Sequence, residues 1–278
     1  MVQIGKWNTL EVVKAVDFGL YLDGGEEGEI LLPKRYMPQD AKPGDALKVF
    51  IYHDNDQRLI ATTQAPLGEV GDIVLMEVVS TTPQGAFMKW GIMKDVFVPL
   101  SQQSTKMFPG EHRLIYLYID QQTGRVAGTE KLHGYLKNDV LTVQEMEAVD
   151  VLIWRKTDIG YPVIINNKHT GVLHFSDVFR ELNVGDQLKG YIKKIRPENK
   201  LDVALGEAGY KRVEGEADKI LRLLGENNGY LPYHDKSDPD EIYQFFGMSK
   251  KTFKMTIGAL YKQEKIALMK TGIQLADK

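Results

Sequence analysis

Residues 10–23 read LEVVKAVDFGLYLD, and the fold is decided by the way their pattern recurs along the chain. A β-branched run, Leu10–Val16, leads into a Phe-Gly-apolar step, Phe18–Asp23. A short apolar strand follows, GEILLP (Gly28–Pro33), then a Gly-acid turn and a longer run, PGDALKVFIY (Pro43–Tyr52). A charged turn then enters a last strand, DNDQRLIAT (Asp54–Thr62). The same plan returns in GDIVLMEVV (Gly71–Val79), QGAFMKW (Gln84–Trp90), KDVFVPL (Lys94–Leu100), PGEHRLIYLYI (Pro109–Ile119) and DQQTGRVAGT (Asp120–Thr129). It returns again in VDVLIW (Val149–Trp154), IGYPVII (Ile159–Ile165), TGVLHFS (Thr170–Ser176), VGDQLKGYIKKI (Val184–Ile195) and RPENKLDVAL (Arg196–Leu205).

The spacings agree. From the second-strand glycine to the third strand runs 9, 10 and 11 residues, and from there to the Gly-acid step 16, 15 and 14. Self-similarity at a fixed period marks a repeated structural unit. Five short strands bounded by Gly, Pro and Asp turns predict a small closed barrel. Parallel βαβ units are excluded, because no segment between strands has room for a crossover helix.

After Leu205 the period changes. GEADKILRLLGENNG (Gly215–Gly229) places Ile220, Leu223 and Leu224 at helical spacing. Asp238 caps a second helix with Pro239 at its first position and acids in the first turn, and Gly247 ends it. Ser249 caps a third, expected through about Lys265, with Phe253, Ile257, Leu260 and Tyr261 on one face. A terminal hairpin turns at Lys270-Thr271-Gly272. This is the layout of a winged helix. The expected fold is mainly β with an α+β C-terminal domain: barrels at 1–66, 67–138 and 139–212, then a winged helix at 213–278.

Composition narrows the function. The chain has 278 residues, 43% hydrophobic and 26% charged, with no cysteine. Disulfides, thiolate metal sites and a cysteine nucleophile are excluded. The first residues, MVQIGKWNTLEVVKAVDFG, have no basic-then-apolar signal, and no stretch approaches a membrane span. A cytoplasmic protein with no membrane association is expected. The six histidines fall at no metal-ligand spacing, and neither a Walker loop nor Gly-x-Ser-x-Gly occurs. No enzyme activity, metal or cofactor is expected. Net charge is −3, so nucleic-acid binding requires segregated charge.

The segment GVLHFSDVF (Gly171–Phe179) resembles the Gly-apolar-apolar-His-apolar-Ser-acid signature of the S1 domain, a five-stranded OB-fold. VDFGLYL and DNDQRLIAT resemble the same family's second strand and last turn. Three such repeats before a winged helix resemble the conserved virulence factor B family. Thr9–Leu22, Leu31–Lys34, Arg58–Thr63, Lys94–Pro99 and Tyr116–Asp120 carry the likeness. The resemblance implies an RNA-binding protein that affects gene expression.

In S1 domains two aromatics flank the second-strand glycine, a His ends the third strand, and an Asp and Arg lie in the last turn. By that resemblance repeat one offers Phe18, Tyr21, Asp54 and Arg58, with Leu31 at the His position. Repeat two offers Phe87, Asp120 and Arg125, with Gln84 and Val98 at the other two. Repeat three offers His174 and Lys200, with Ile159 and Pro162 in place of the aromatics, and Tyr161 facing the other side. OB barrels bind single strands by stacking bases on such aromatics and steering the backbone with cations. Each residue also has a structural role open to it. Phe18 and Phe87 fit a barrel core, Arg58 and Arg125 fit turn ion pairs with Asp54 and Asp120, and His174 fits a packed strand end.

Two basic stretches complete the candidates. Lys189, Lys193, Lys194, Arg196 and Lys200 fall within fifteen residues. Strand alternation puts Lys189 and Lys193 on one face and Lys194 on the other. Replacing Lys193, Lys194 and Lys200 is expected to weaken RNA binding more than replacing Arg58. In the last domain, Glu214–Met248 carries net −5 and Ser249–Lys278 net +5. Lys250, Lys251 and Lys254 open the third helix and Lys270 lies at the wing, as phosphate contact requires; a solvated helix face is the alternative. The acids of Gly24–Glu29 oppose phosphate near repeat one. The expected partner is RNA, single-stranded by preference. DNA bound by the winged helix, and the ribosome or transcription machinery bound as protein, are the alternatives.

Overall fold

The computed structural model describes residues 1–178, 181–206 and 209–276, so Phe179, Asp277 and Lys278 lie outside the described residues. Three closed five-stranded barrels come first. Barrel 1 comprises β1 (Trp7–Val16), β2 (Gly19–Asp23), β3 (Glu29–Pro33), β4 (Ala46–His53) and β5 (Leu59–Thr62). Barrel 2 comprises β6 (Ile73–Thr82), β7 (Gly85–Met88), β8 (Val96–Pro99), β9 (His112–Ile119) and β10 (Val126–Thr129). Barrel 3 comprises β11 (Ala148–Ile153), β12 (Gly160–Ile165), β13 (His169–His174), β14 (Gln187–Arg196) and β15 (Lys200–Leu205). In each, the third and fifth strands close the barrel as a parallel pair, and the other pairings are antiparallel.

The glycine that opens each second strand has a steric reason. A Cβ on Gly19, Gly85 or Gly160 would stand 2.2, 2.3 or 2.4 Å from the carbonyl oxygen of Leu32, Val98 or Leu173. Only glycine lets the second and third strands close this tightly. Barrel interiors are filled by alternate residues: Leu20, Leu22, Ile30, Leu32, Val49 and Ile51 in barrel 1, and Val151, Ile153, Val163, Leu173, Ile192 and Val203 in barrel 3.

The chain divides into two compact units, Met1–Lys137 and Asn138–Lys278. Within the first, barrels 1 and 2 are fused by an aromatic block that the repeat pattern does not reveal. Phe50 and Tyr52 point away from the core of barrel 1 and join the core cluster of barrel 2, with Trp7 and Trp90. Phe50 meets Trp7 and Trp90 edge-to-face at 5.8 and 5.4 Å. Trp90, 2% exposed, donates its indole N–H to the Gly68 carbonyl at 2.9 Å. The linker is tied in by Gly5 N–H to Ile51 O at 2.7 Å and Val70 N–H to Gly5 O at 2.9 Å.

The C-terminal domain is built from α1 (Gly209–Glu226), β16 (Tyr230–Leu231), α2 (Pro239–Phe246), α3 (Lys250–Lys262), β17 (Ile266–Leu268) and β18 (Ile273–Leu275). The caps form as the sequence predicts. Asp238 accepts from the amides of Asp240 and Glu241, Gly247 takes the left-handed conformation, and Ser249 accepts from Thr252. The hairpin gains a third strand, because β16 pairs with β18. Ile220, Leu224, Ile242, Phe246, Phe253 and Leu260 are fully buried. Tyr261 is a correction: it is 55% exposed, because it falls one position past Leu260, beyond the buried face of α3. No helix among the described residues is long and apolar enough to cross a membrane.

Candidate nucleic-acid interface

Cross-strand register defines one outer row on each barrel. In barrel 1 it is Lys14, Tyr21, Leu31 and Ile60. In barrel 2 it is Ser80, Phe87, Phe97 and Ala127. In barrel 3 it is Pro162, Val172, Asp202 and Lys194. The register also corrects one equivalence. The residues opposite Gly19, Gly85 and Gly160 are Pro33, Pro99 and His174. The histidine position in barrels 1 and 2 is therefore held by Pro33 and Pro99, not by Leu31 and Val98.

Barrel 1 carries the most open aromatic face. Phe18 is 57% exposed and meets Tyr21 edge-to-face at 6.3 Å. Lys14 Nζ stands over the Tyr21 ring at 4.8 Å and pairs with Glu29 at 2.6 Å. Phe18 is thus a surface residue, not core. Arg58 donates from Nε and Nη2 to Asp54 at 3.1 and 2.9 Å, and from Nη2 to Asp56 at 2.7 Å. Burial disfavours the Asp54 carboxylate, but the amide and guanidinium of Arg58 outweigh it and hold its pKa below the usual range. Arg58 keeps an exposed guanidinium braced by two acids.

In barrel 2, Phe87 is half-buried against Phe97 at 5.1 Å. Exposed Gln84 stands where barrel 1 has Phe18. A cleft of about 620 Å³ lined by Thr82, Leu100, Ser104 and Lys106 opens beside Gly85. Arg125 does not pair with Asp120, whose carboxylate instead accepts from Thr123 Oγ1 at 3.1 Å and the Gln122 amide at 3.0 Å. Arg125 adjoins the junction with barrel 1, since Val126 beside it packs against Gly5 and the shared aromatic cluster, and its charge lowers the pKa of His53 and Lys94.

Barrel 3 replaces the aromatic row with charge. His174 Nε2 lies 3.2 Å from Asp202 Oδ1, and Arg196 Nε donates to Asp202 Oδ2 at 2.6 Å. Burial raises the Asp202 pKa, but the bonds from Arg196 and His174 outweigh it and the net shift is downward. Ile159, at the place of Phe18, is 64% exposed, while Tyr161 is buried in the core as its register requires.

The basic stretch of barrel 3 is largely neutralised. Lys189 pairs with Asp150, Lys193 with both oxygens of Asp177 at 2.7 Å, and Lys200 with Glu198 at 2.6 Å. Lys194 has no ion pair among the described residues. A bulge between Ile192 and Lys194 turns both Lys193 and Lys194 outward, so alternation fails here and Lys194 does not lie opposite Lys193.

In the winged helix Lys251, Lys254 and Lys270 are exposed and Lys250 is half-buried. Lys254 lies 3.8 Å from Asp235, and no ion pair joins Lys250, Lys251 or Lys270 to a carboxylate among the described residues. Sequence reasoning missed Asp202, Lys14 and Phe97 as members of these faces. Asp202 was visible as a charge inside an apolar strand, and Phe97 as the outward position of the alternating VFVP.

Residues 4–64, which span barrel 1, match the S1 domain family model, and residues 218–275 match the CvfB-like winged helix domain. Conserved virulence factor B of Staphylococcus aureus (strain bovine RF122 / ET3-1) is 28% identical over 287 residues, covering 97% of this chain and 92% of that protein. Over nearly its whole length the chain is similar to the conserved virulence factor B proteins. Uncharacterized protein YitL of Bacillus subtilis is also 28% identical, over 94% of this chain and 90% of its own length. Among solved structures, a multidomain protein with nucleic acid binding domains from Streptococcus pneumoniae is 23% identical, with 98% of both chains covered and a TM-score of 0.42.

Proposed function

We propose that this protein binds single-stranded RNA without catalysing a reaction on it, and so influences gene expression after transcription. The observation that carries the proposal is the outer face of barrel 1. There exposed Phe18 stands beside Tyr21, with Lys14 over the Tyr21 ring and Arg58 in the adjoining turn. Exposed aromatics bordered by cations are what base stacking and backbone steering need. The S1 domain match of residues 4–64 supports nucleic-acid binding in general. The basic front of α3 supplies a second surface for phosphate.

Binding of the intact chain to single-stranded RNA, single-stranded DNA and duplex DNA across a salt series tests the proposal. Tightest binding to single-stranded RNA, weakening steeply with salt, is expected. No binding at low salt would overturn it. Tighter binding to duplex DNA would favour the second reading, in which Lys250, Lys251 and Lys270 touch a duplex backbone.

A further inference from the structure

Barrels 1 and 2 meet through polar groups as well as through the aromatic block. The β4–β5 loop of barrel 1 reaches the β7–β8 loop of barrel 2, where Lys94 Nζ donates to Asn55 Oδ1 at 2.5 Å. His53, at the end of β4, has its Nδ1 buried with no hydrogen-bond partner among the described residues. Arg125, in the turn before β10, adjoins the same junction, because its neighbour Val126 packs against Gly5, whose N–H bonds to Ile51 O. Burial first, and Arg125 second, push the pKa of His53 and of Lys94 downward. The acids nearby do not close the set. Asp54 is committed to Arg58, Asp95 is itself disfavoured as a carboxylate by burial, and Glu27 acts on His53 more weakly than Asp54 does. Among the described residues no ion pair joins Lys94 or Arg125 to a carboxylate.

Two half-buried cations and an unpartnered imidazole nitrogen on one junction form an electrostatically incomplete arrangement, since like charges oppose one another's ionised form. An anion between them removes the repulsion. We infer that this junction is a phosphate-binding saddle, in which Lys94 and Arg125 hold one backbone phosphate of a strand passing from barrel 1 to barrel 2, with the enclosed His53 beside them. Register gives the path. Arg58 lies two residues before Ile60 on the outer row of barrel 1, and Arg125 two residues before Ala127 on that of barrel 2. The saddle therefore stands between the Phe18–Tyr21 face and the Phe87–Phe97 face. His53 Nδ1 is enclosed, so His53 senses a phosphate on the saddle through its surroundings and not by a direct Nδ1–H bond. The aromatic block fixes the spacing before binding, so little ordering is required when the strand arrives. The inference rests on the single-stranded RNA proposal.

The test uses the full chain, with fluorescence anisotropy on uridine homopolymers of about 5 and about 15 nucleotides, short and long against the footprint of one OB barrel. The variants are Arg125→Gln and Lys94→Gln/Arg125→Gln. The 15-mer affinity of the double variant should fall about tenfold, and its salt slope should drop by about 0.7, the contribution of one single-strand phosphate. The 5-mer affinity should stay within about twofold, and Arg125→Gln should melt with the parent because its side chain makes no ion pair. Unchanged 15-mer affinity in both variants overturns the saddle, as does an equal loss on both oligomers. A His53 ring resonance that does not move on saturation with 15-mer also overturns it. If the parent binds neither oligomer at low salt, the RNA proposal itself fails, an outcome distinct from a parent that binds and variants that match it.

Discussion

The fourth strand of barrel 1 and that of barrel 3 hold the same place in the same topology and live in opposite surroundings. Register equates Phe50 with Tyr191 and Tyr52 with Lys194. In β4 both faces are buried: Val49 and Ile51 fill barrel 1, while Phe50 and Tyr52 enter the core of barrel 2. Burial, aided by the neighbouring Tyr36, pushes the Tyr52 hydroxyl up to about 12. In β14 only one face is buried, and the other carries Lys189, Tyr191, Lys193 and Lys194. A barrel strand thus chooses between docking and charge by its outward residues alone. The choice joins barrels 1 and 2 through a shared core in one compact unit, and leaves barrel 3 with an ion-paired exterior.

The largest test of this contrast is stability. Phe50→Ala removes a ring that is 0% exposed and packed on two tryptophans. It should cost about 3–5 kcal/mol, read by urea unfolding of the intact chain. Tyr191→Ala removes a half-buried ring and should cost about 1 kcal/mol. Equal losses would mean that β4 is not docked as described.

Next in size is binding. Phe18→Ala should weaken single-stranded RNA affinity by about 5- to 150-fold, since stacking a base on an aromatic contributes about 1–3 kcal/mol. Ile159→Ala, at the same place on barrel 3, should change it less than twofold. A larger effect at Ile159 would move the main stacking face to barrel 3.

The barrels and the winged helix were legible because most strands keep period two and α2 and α3 carry their own caps. Gly19, Gly85 and Gly160 mark the tight second strand in plain sequence, and Asp238, Gly247 and Ser249 bracket α2 and open α3. The candidate site was half legible. Phe18, Tyr21 and Arg58 cluster because all three belong to adjoining turns and strands of one barrel. The aromatic block was hidden, since KVFIY in β4 reads as an ordinary buried run until barrel 2 is present to cover its second face. The bulge at Lys193 was hidden too, because one extra residue leaves no mark in composition. The ion pairs of Lys189 with Asp150 and of Lys193 with Asp177 join residues distant in the chain, and spacing does not reveal such partners.

A smaller effect separates the rows chemically. Asp202 on barrel 3 titrates, and its counterpart Ile60 on barrel 1 does not. The folded pKa of Asp202 is depressed. Its contribution is therefore present above the unfolded carboxylate range near 3.9 and is lost as pH falls through the lower folded value. Asp202→Asn should cost about 1–2 kcal/mol at pH 7, because Arg196 and His174 lose a charged partner. The gap between parent and variant should shrink as pH drops below about 4. A gap constant with pH would show that the triad is not carrying the ion pair. Asp54 titrates in the same direction in barrel 1, so the comparison is between parent and variant.

The smallest expected effect decides how the basic face of barrel 3 takes part. Lys193 is held by Asp177, whereas its neighbour Lys194 has no carboxylate partner among the described residues. An exposed ion pair contributes little to stability, but a phosphate must displace its carboxylate before the lysine is free. Lys194→Gln should therefore lower the salt slope of RNA binding by about 0.7, one phosphate contact, and Lys193→Gln by less. This also revises the expectation for the group Lys193, Lys194 and Lys200, whose joint loss should act mainly through Lys194. Equal drops for Lys193→Gln and Lys194→Gln would mean that Asp177 releases its lysine on binding. The acids around β14 would then be gates on the cations rather than their permanent partners, and the contrast with docked β4 would lie in packing alone.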